Sequence, residues 1–179
     1  DLTLYAVWQN NTSSMAVNSS NSAWISTCGE MKYYTFTPAT SGKYVIYSTG
    51  SEDTKVYLYN ANWSELDSDD DGGDGNNFRL EYNLTADTKY TFGIQYYNSS
   101  KTGTIPFKFG KVYTVSYNAN NGSGAPSAQR KDYGKALTLS SSVPTRNGYV
   151  FKGWATSSSA AGATYQPGDT YSAEADVTL

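Results

Sequence analysis

Apolar and polar residues alternate along most of this chain. Phe78, Leu80, Tyr82 and Leu84 fall on even positions, with Arg79, Glu81 and Asn83 between them. Tyr90, Phe92, Ile94 and Tyr96 repeat the pattern, as do Ile105, Phe107 and Phe109, and then Tyr113, Val115 and Tyr117. Shorter runs at Tyr34 and Phe36, Tyr44 and Ile46, and Val56 and Leu58 do the same. A period of two predicts β-strands that bury one face. No segment keeps the period of an amphipathic helix. Turn-forming clusters separate the runs: Ser41-Gly42, Thr49-Gly50, Asn60-Ala61-Asn62, Asp71-Gly72, Asn120-Asn121-Gly122 and Asn147-Gly148. Strands spaced in this way predict an antiparallel all-β sandwich or barrel.

Two breaks divide the pattern. Residues 10–22 are polar and low in complexity and read as a linker or a loosely laid strand. A second seam lies near Gly110-Lys111, beyond which acidic residues thin out. The ends repeat each other. Asp1-Leu2-Thr3-Leu4 matches Asp176-Val177-Thr178-Leu179, and the first copy continues as Tyr5-Ala6-Val7-Trp8. The domains expected are residues 1–9 as the closing strand of a repeat, 10–22 as linker, 23–111 as a β-sandwich, and 112–179 as a second, small module.

Composition removes several function classes. The chain has 179 residues, a net charge of −3 and no His. Without His there is no His-based triad, general base or metal ligand. A single Cys, Cys28, excludes a disulfide framework and thiolate zinc clusters. An acidic chain without Lys/Arg runs argues against nucleic acid. No apolar run is long enough to span a membrane as a helix, and no signal peptide is present in these residues.

Residues 113–179 resemble the internalin B-repeat type of bacterial repeat, the Listeria–Bacteroides repeat. The carriers are Tyr113-Thr114-Val115-Ser116-Tyr117-Asn118-Ala119-Asn120-Asn121-Gly122, then Pro144-Thr145-Arg146-Asn147-Gly148-Tyr149-Val150-Phe151-Lys152-Gly153-Trp154, then Tyr165-Gln166-Pro167-Gly168-Asp169 and Ala175-Asp176-Val177-Thr178-Leu179. The resemblance implies a β-grasp-like module of surface proteins, a spacer or adhesive element with no catalytic residues. It also implies a closing strand like Leu4-Tyr5-Ala6-Val7-Trp8. Residues 24–110 resemble the bacterial pre-peptidase C-terminal domain through Tyr34-Thr35-Phe36-Thr37-Pro38, Asp53-Thr54-Lys55-Val56-Tyr57-Leu58-Tyr59, the acidic turn Asp69 to Gly75, and Tyr90-Thr91-Phe92-Gly93-Ile94. That resemblance implies a β-sandwich appended to secreted enzymes, sometimes with calcium. The dominance of Ser, Thr, Asn, Gly and Tyr is similar to secreted bacterial wall proteins, so an extracellular or cell-wall-associated location is expected.

Three constellations carry candidate chemistry. In Asp67 to Asn77, the residues Asp67, Asp69, Asp71 and Gly72 fit positions of a calcium loop, with Asp74 a further carboxylate. The bidentate Glu of such a loop is replaced by Phe78, so the choice lies between a Ca²⁺ site of another type and a solvated acidic turn. The second is the aromatic excess of 17 Tyr and 4 Trp against 6 Phe. Tyr and Trp suit surfaces that are part apolar and part wet. A sugar ring matches them, stacking C–H groups on the ring plane while its hydroxyls bond to nearby polar groups. Parity places Tyr57 and Tyr59 opposite in sense to Val56 and Leu58, and Gln95 and Tyr97 opposite to Ile94 and Tyr96. Trp63 lies in a polar loop, and Trp24 ahead of the first sandwich strand. These six residues are the candidate glycan-binding set, the alternative being tyrosines that merely cover a small sheet. Trp8 and Trp154 read as core of the repeat module. The third, a carboxylate pair for glycoside hydrolysis, finds no placement among Glu30, Glu52, Glu65 and Glu81.

The expectation is a non-catalytic carbohydrate-binding region of a bacterial surface or secreted protein, engaging a polysaccharide such as an α-glucan. The alternative is a structural spacer or adhesin segment. Leu2, Leu4, Ala6 and Trp8 share one parity. Residues 2–8 are therefore expected to pair with the 113–179 module, within one chain or by strand exchange between neighbouring chains.

Overall fold

The computed structural model describes residues 3–6 and 11–179, and these contain β-strands and turns but no α-helix. The chain divides into two compact units, Asp1–Gly110 and Lys111–Leu179.

Unit one is a sandwich. Its strands are β1 (Thr12–Ser14), β2 (Ser19–Ile25), β3 (Lys32–Phe36), β4 (Gly42–Ser48), β5 (Thr54–Tyr59), β6 (Glu65–Asp69), β7 (Arg79–Leu84), β8 (Tyr90–Tyr96) and the first part of β9 (Gly103–Ser116). One sheet has the order β1-β3-β8-β5-β6. In the other, β9 is bonded to β4, β4 to β7, and β2 pairs with β9. Most ladders are antiparallel, whereas β1 runs parallel to β3. The alternating residues named above meet between the sheets. Val56, Leu58, Phe92 and Ile94 from the first sheet join Ile46, Leu80, Ile105, Phe107 and Phe109 from the second in one buried cluster. Burial of these side chains supplies the main drive for the fold, at roughly 25 cal/mol per Å² of apolar surface.

Of the two readings of residues 10–22, linker or loosely laid strand, the structure shows strands in place of the linker. Residues 12–14 form β1, and residues 19–22 begin β2, which pairs with β9 from Ser19 opposite Phe109 to Ile25 opposite Gly103. Trp24 therefore lies within a sandwich strand and not ahead of the first one. Polar side chains are tolerated here because β9 is the ladder partner of β2 among the described residues, and Ser20, Ser22 and Trp24 are exposed. Only its end turns Ala23 and Ile25 into the core.

Unit two is built on the remainder of β9. On β9 lie β10 (Gln129–Asp132), antiparallel, and β13 (Val177–Thr178), parallel. A small ladder joins β11 (Leu137–Thr138) to β12 (Thr170–Tyr171). Val115, Tyr117, Leu139, Trp154, Tyr171 and Leu179 form its core. A bridge between Trp154 and Tyr165 brings two backbones so close that only glycine fits at Gly153. Its φ is 126°, and a Cβ there would lie 2.6 Å from the Tyr165 carbonyl oxygen. The fully buried Lys131 ammonium is paired with Glu174 at 2.9 Å. An all-β sandwich followed by a small β module, the fold class expected from alternation, is what forms.

The strand expected at residues 2–8 falls partly on Leu2, Val7 and Trp8, which lie outside the described residues. Within the described part, Thr3 to Ala6 form no strand, and Leu4 and Tyr5 are 83% and 85% exposed.

Candidate functional site

Strand β5 alternates strictly. Thr54, Val56 and Leu58 are buried, while Lys55, Tyr57 and Tyr59 are half-exposed on the opposite face. Register carries this outer face across the sheet. Tyr57 stands opposite Gly93 of β8, and Gly93 opposite Tyr33 of β3, so the three positions share a face. Gly93 has no side chain to fill the centre of that row. A Cβ there would meet the Met31 sulfur at 2.4 Å and the Tyr33 ring at 3.2 Å. Its absence lets Met31 and Tyr33 lie over the strand.

Trp63 is delivered by the turn between β5 and β6. Asn60 closes that turn with both backbone and side chain. Its carbonyl accepts the Trp63 N–H at 3.1 Å, and its N–H donates to the Ser64 carbonyl at 3.0 Å. Its Oδ1 accepts from the Asn62 and Ser64 N–H groups at 2.9 and 3.0 Å. The result holds Trp63 at φ 62°. This left-handed conformation costs a bulky residue roughly 1–2 kcal/mol. It places the indole edge-on to Tyr33, with centroids 5.1 Å apart and planes at 88°, and 5.8 Å from Tyr59.

The rings run on without a gap. Tyr59 stacks beside Tyr57 at 6.2 Å and 19°. The Lys55 ammonium lies 5.0 Å from the Tyr57 ring and 6.0 Å from that of Tyr97. Gln95 stands opposite Lys55 in the ladder. Trp63 is 41% exposed and Tyr97 57%. The stripe thus offers ring faces to an apolar partner and phenol, amide and ammonium groups to a hydroxylated one. Burial, and then the neighbouring Tyr33, Glu65 and Tyr57, push the Tyr59 hydroxyl up to about 12, so it stays protonated and able to donate.

The structure brings together Trp63, Tyr59, Tyr57, Gln95 and Tyr97 of the candidate set. It leaves out Trp24, which sits on β2 in the other sheet, opposite Thr104. Sequence reasoning missed Tyr33. The signal was present, because Tyr34 and Phe36 belong to the buried parity. Tyr34 packs edge-on against Phe107 at 5.1 Å, which leaves Tyr33 on the outer face.

The acidic loop joins β6 to β7. Asp69 Oδ2 accepts the Gly72 and Arg79 N–H groups at 3.0 and 2.7 Å, tying both ends of the loop. Asp67 accepts the N–H of its own neighbour Ser68 at 2.9 Å. Asp71 and Asp74 are exposed. Among the described residues, no three Asp, Glu, Cys or His side chains gather at metal-binding distance. A buried polar cluster anchors the far side of the loop. Ser48 Oγ donates to Asn77 Oδ1 at 2.7 Å and lies 2.7 Å from Thr54 Oγ1. Asn77 Nδ2 donates to the carbonyls of Gly50 and Asp74 at 2.8 and 2.7 Å.

Residues 113–179 match the model of the Listeria-Bacteroides repeat domain. Several residues of the motif serve the fold. Trp154 and Tyr165 form the internal bridge, and Asp169 accepts the Gln166 N–H at 2.7 Å to close the turn before β12. No curated protein matches the chain. Among solved structures, the pre-peptidase C-terminal domain of collagenase from Bacillus anthracis is similar at 13% identity, over 59% of this chain and 98% of that one, with a TM-score of 0.45. A periplasmic inhibitor of g-type lysozyme from Aeromonas hydrophila is similar at 14% identity, over 55% of this chain and 91% of that one, with a TM-score of 0.38. Among the described residues, no helix is long and apolar enough to cross a membrane.

Proposed function

We propose that the outer face of the β1-β3-β8-β5-β6 sheet is a carbohydrate platform. The chain is then a non-catalytic binding region of a bacterial cell-surface or secreted protein, engaging a polysaccharide such as an α-glucan. The observation that carries this reading is the unbroken stripe of Trp63, Tyr33, Tyr59 and Tyr57 leading to Lys55 and Tyr97. Tyrosines that only covered a sheet would not require a tryptophan in a left-handed backbone conformation to extend them. The Lys55 ammonium and the Gln95 amide flank the rings, and Trp and Tyr are side chains that serve both apolar and polar contacts.

Native gels cast with a panel of soluble polysaccharides, α-glucans first, test the reading. Retarded migration on at least one of them is expected. Unchanged migration on every member of the panel, and no adsorption to insoluble glycans, would overturn it. A second reading, a structural spacer or adhesin segment, is favoured by the match of residues 113–179 to a repeat domain. It would then stand alone.

A further inference from the structure

We propose, resting on the carbohydrate reading above, that the aromatic stripe takes a linear segment of a neutral polysaccharide, about four pyranose units laid along β5 from Trp63 toward Tyr97. Length follows from register. The Tyr97 N–H donates to the Asp53 carbonyl at 3.1 Å, and the strand runs from there to Tyr59, whose ring lies 5.8 Å from that of Trp63. At ~3.3 Å per residue the stretch from Asp53 to Tyr59 is about 20 Å, room for about four pyranose rings at roughly 5 Å each. The side chains along it are evenly spaced. Trp63 is followed by Tyr59, Tyr57, Lys55 and Tyr97 in steps of 5.8, 6.2, 5.0 and 6.0 Å. Direction follows from the rings. Trp63, Tyr33 and Tyr59 lie within 6.4 Å of one another, whereas Tyr97 meets the Lys55 ammonium. A first sugar unit buries most apolar surface on the cluster of three rings, and each further unit toward Tyr97 adds a smaller increment.

The charges beside the rings select a neutral chain. Glu65 stands opposite Tyr59 in the β5-β6 ladder, and Asp70 follows Asp69, the partner of Val56, which brings it beside Lys55. Against burial, a bond to Tyr57 and the nearby Asp70 carboxylate raise the Lys55 pKa. The ammonium of the stripe is thus balanced by a carboxylate, and Glu65 adds negative charge at the Trp63 end. Lys32, next to Tyr33, is paired with Glu30. A uronate or phosphate laid along β5 meets repulsion from Glu65 and Asp70, on a chain whose net charge is −3. A neutral sugar finds hydrogen-bonding groups in Gln95, Lys55 and the phenols without that cost.

Isothermal titration of the full chain with malto-, cello- and manno-oligosaccharides of two to six units tests this, beside native gels containing amylose, hydroxyethyl cellulose, mannan or polygalacturonate. In at least one series affinity is expected to rise about tenfold or more from two units to four, and to level off beyond five. At least one neutral polymer should retard the chain, and polygalacturonate should not. Trp63→Ala should weaken the two-unit and six-unit sugars alike. The loss caused by Tyr97→Ala should grow with chain length and reach about tenfold at six units. Equal affinity for two and six units, retention by a polysaccharide without binding in any series, or stronger retention by polygalacturonate would overturn the proposal and leave the carbohydrate reading in place. No retention by any polysaccharide would overturn both.

Discussion

Trp63 sets the cost of a strained backbone against the recognition proposed for its indole. Its surface role was legible in the sequence, because an indole in the polar turn Asn60 to Ser64 has little core to enter. Its φ of 62° was not, since the turn is set by the several bonds of Asn60 and not by Trp63 itself. A residue held in the left-handed region is relieved by glycine but not by alanine. Trp63→Gly is therefore expected to be more stable than Trp63→Ala by about 1 kcal/mol in urea unfolding. Equal stability of the two variants would remove the strain from the account. Glu30 is a second residue whose environment can be read by titration. Its carboxylate pairs with Lys32 and accepts from the Ser26 N–H and hydroxyl and the Thr27 N–H, which lowers it from 4.5 to about 2. A carboxyl depressed in the folded state stabilises the fold above its unfolded value, and that stabilisation fades as pH falls through the folded one. Glu30→Gln should thus melt below wild type near neutral pH, and the gap should close between 4.5 and 2. A gap independent of pH would contradict the assignment.

Strands were legible wherever one face was apolar. The alternating runs between Tyr34 and Tyr117 lie in or beside strands, and β5 reproduces the inward and outward parity residue by residue. Residues 10–22 stayed open between linker and strand, because Thr12 to Ser14 and Ser19 to Ser22 are polar at both parities, and their partners β3 and β9 make them strands. In the acidic loop between β6 and β7, with five aspartates from Asp67 to Asp74, the main-chain N–H groups of Gly72 and Arg79 donate to Asp69 and close the loop. Asp69→Ala should cost about 1–2 kcal/mol in chemical unfolding, since it leaves the Gly72 and Arg79 donors without their acceptor. Asp71→Ala, on an exposed side chain, should change stability by less than about 0.5 kcal/mol. Equal effects of the two substitutions would show that Asp69 does not organise the loop.

At the scale of the molecule, the sandwich buries one face of each sheet, while residues 113–179 bury Tyr117, Trp154 and Tyr171 in a small core of their own. The seam near Gly110 was visible as a change in composition, and the two units meet there in sequence. The central claim is that the stripe from Trp63 to Tyr97 binds a glycan. The most direct measurement compares wild type with Trp63→Ala, Tyr57→Ala and Trp24→Ala on the polysaccharide that retards wild type most. Loss of either stripe residue should weaken retention by roughly 1–2 kcal/mol, a five- to thirtyfold change in apparent affinity, as for other aromatic contacts at interfaces. Trp24→Ala, on the opposite sheet, should leave retention unchanged. Retention that survives both stripe substitutions, or that depends on Trp24 instead, would contradict the account.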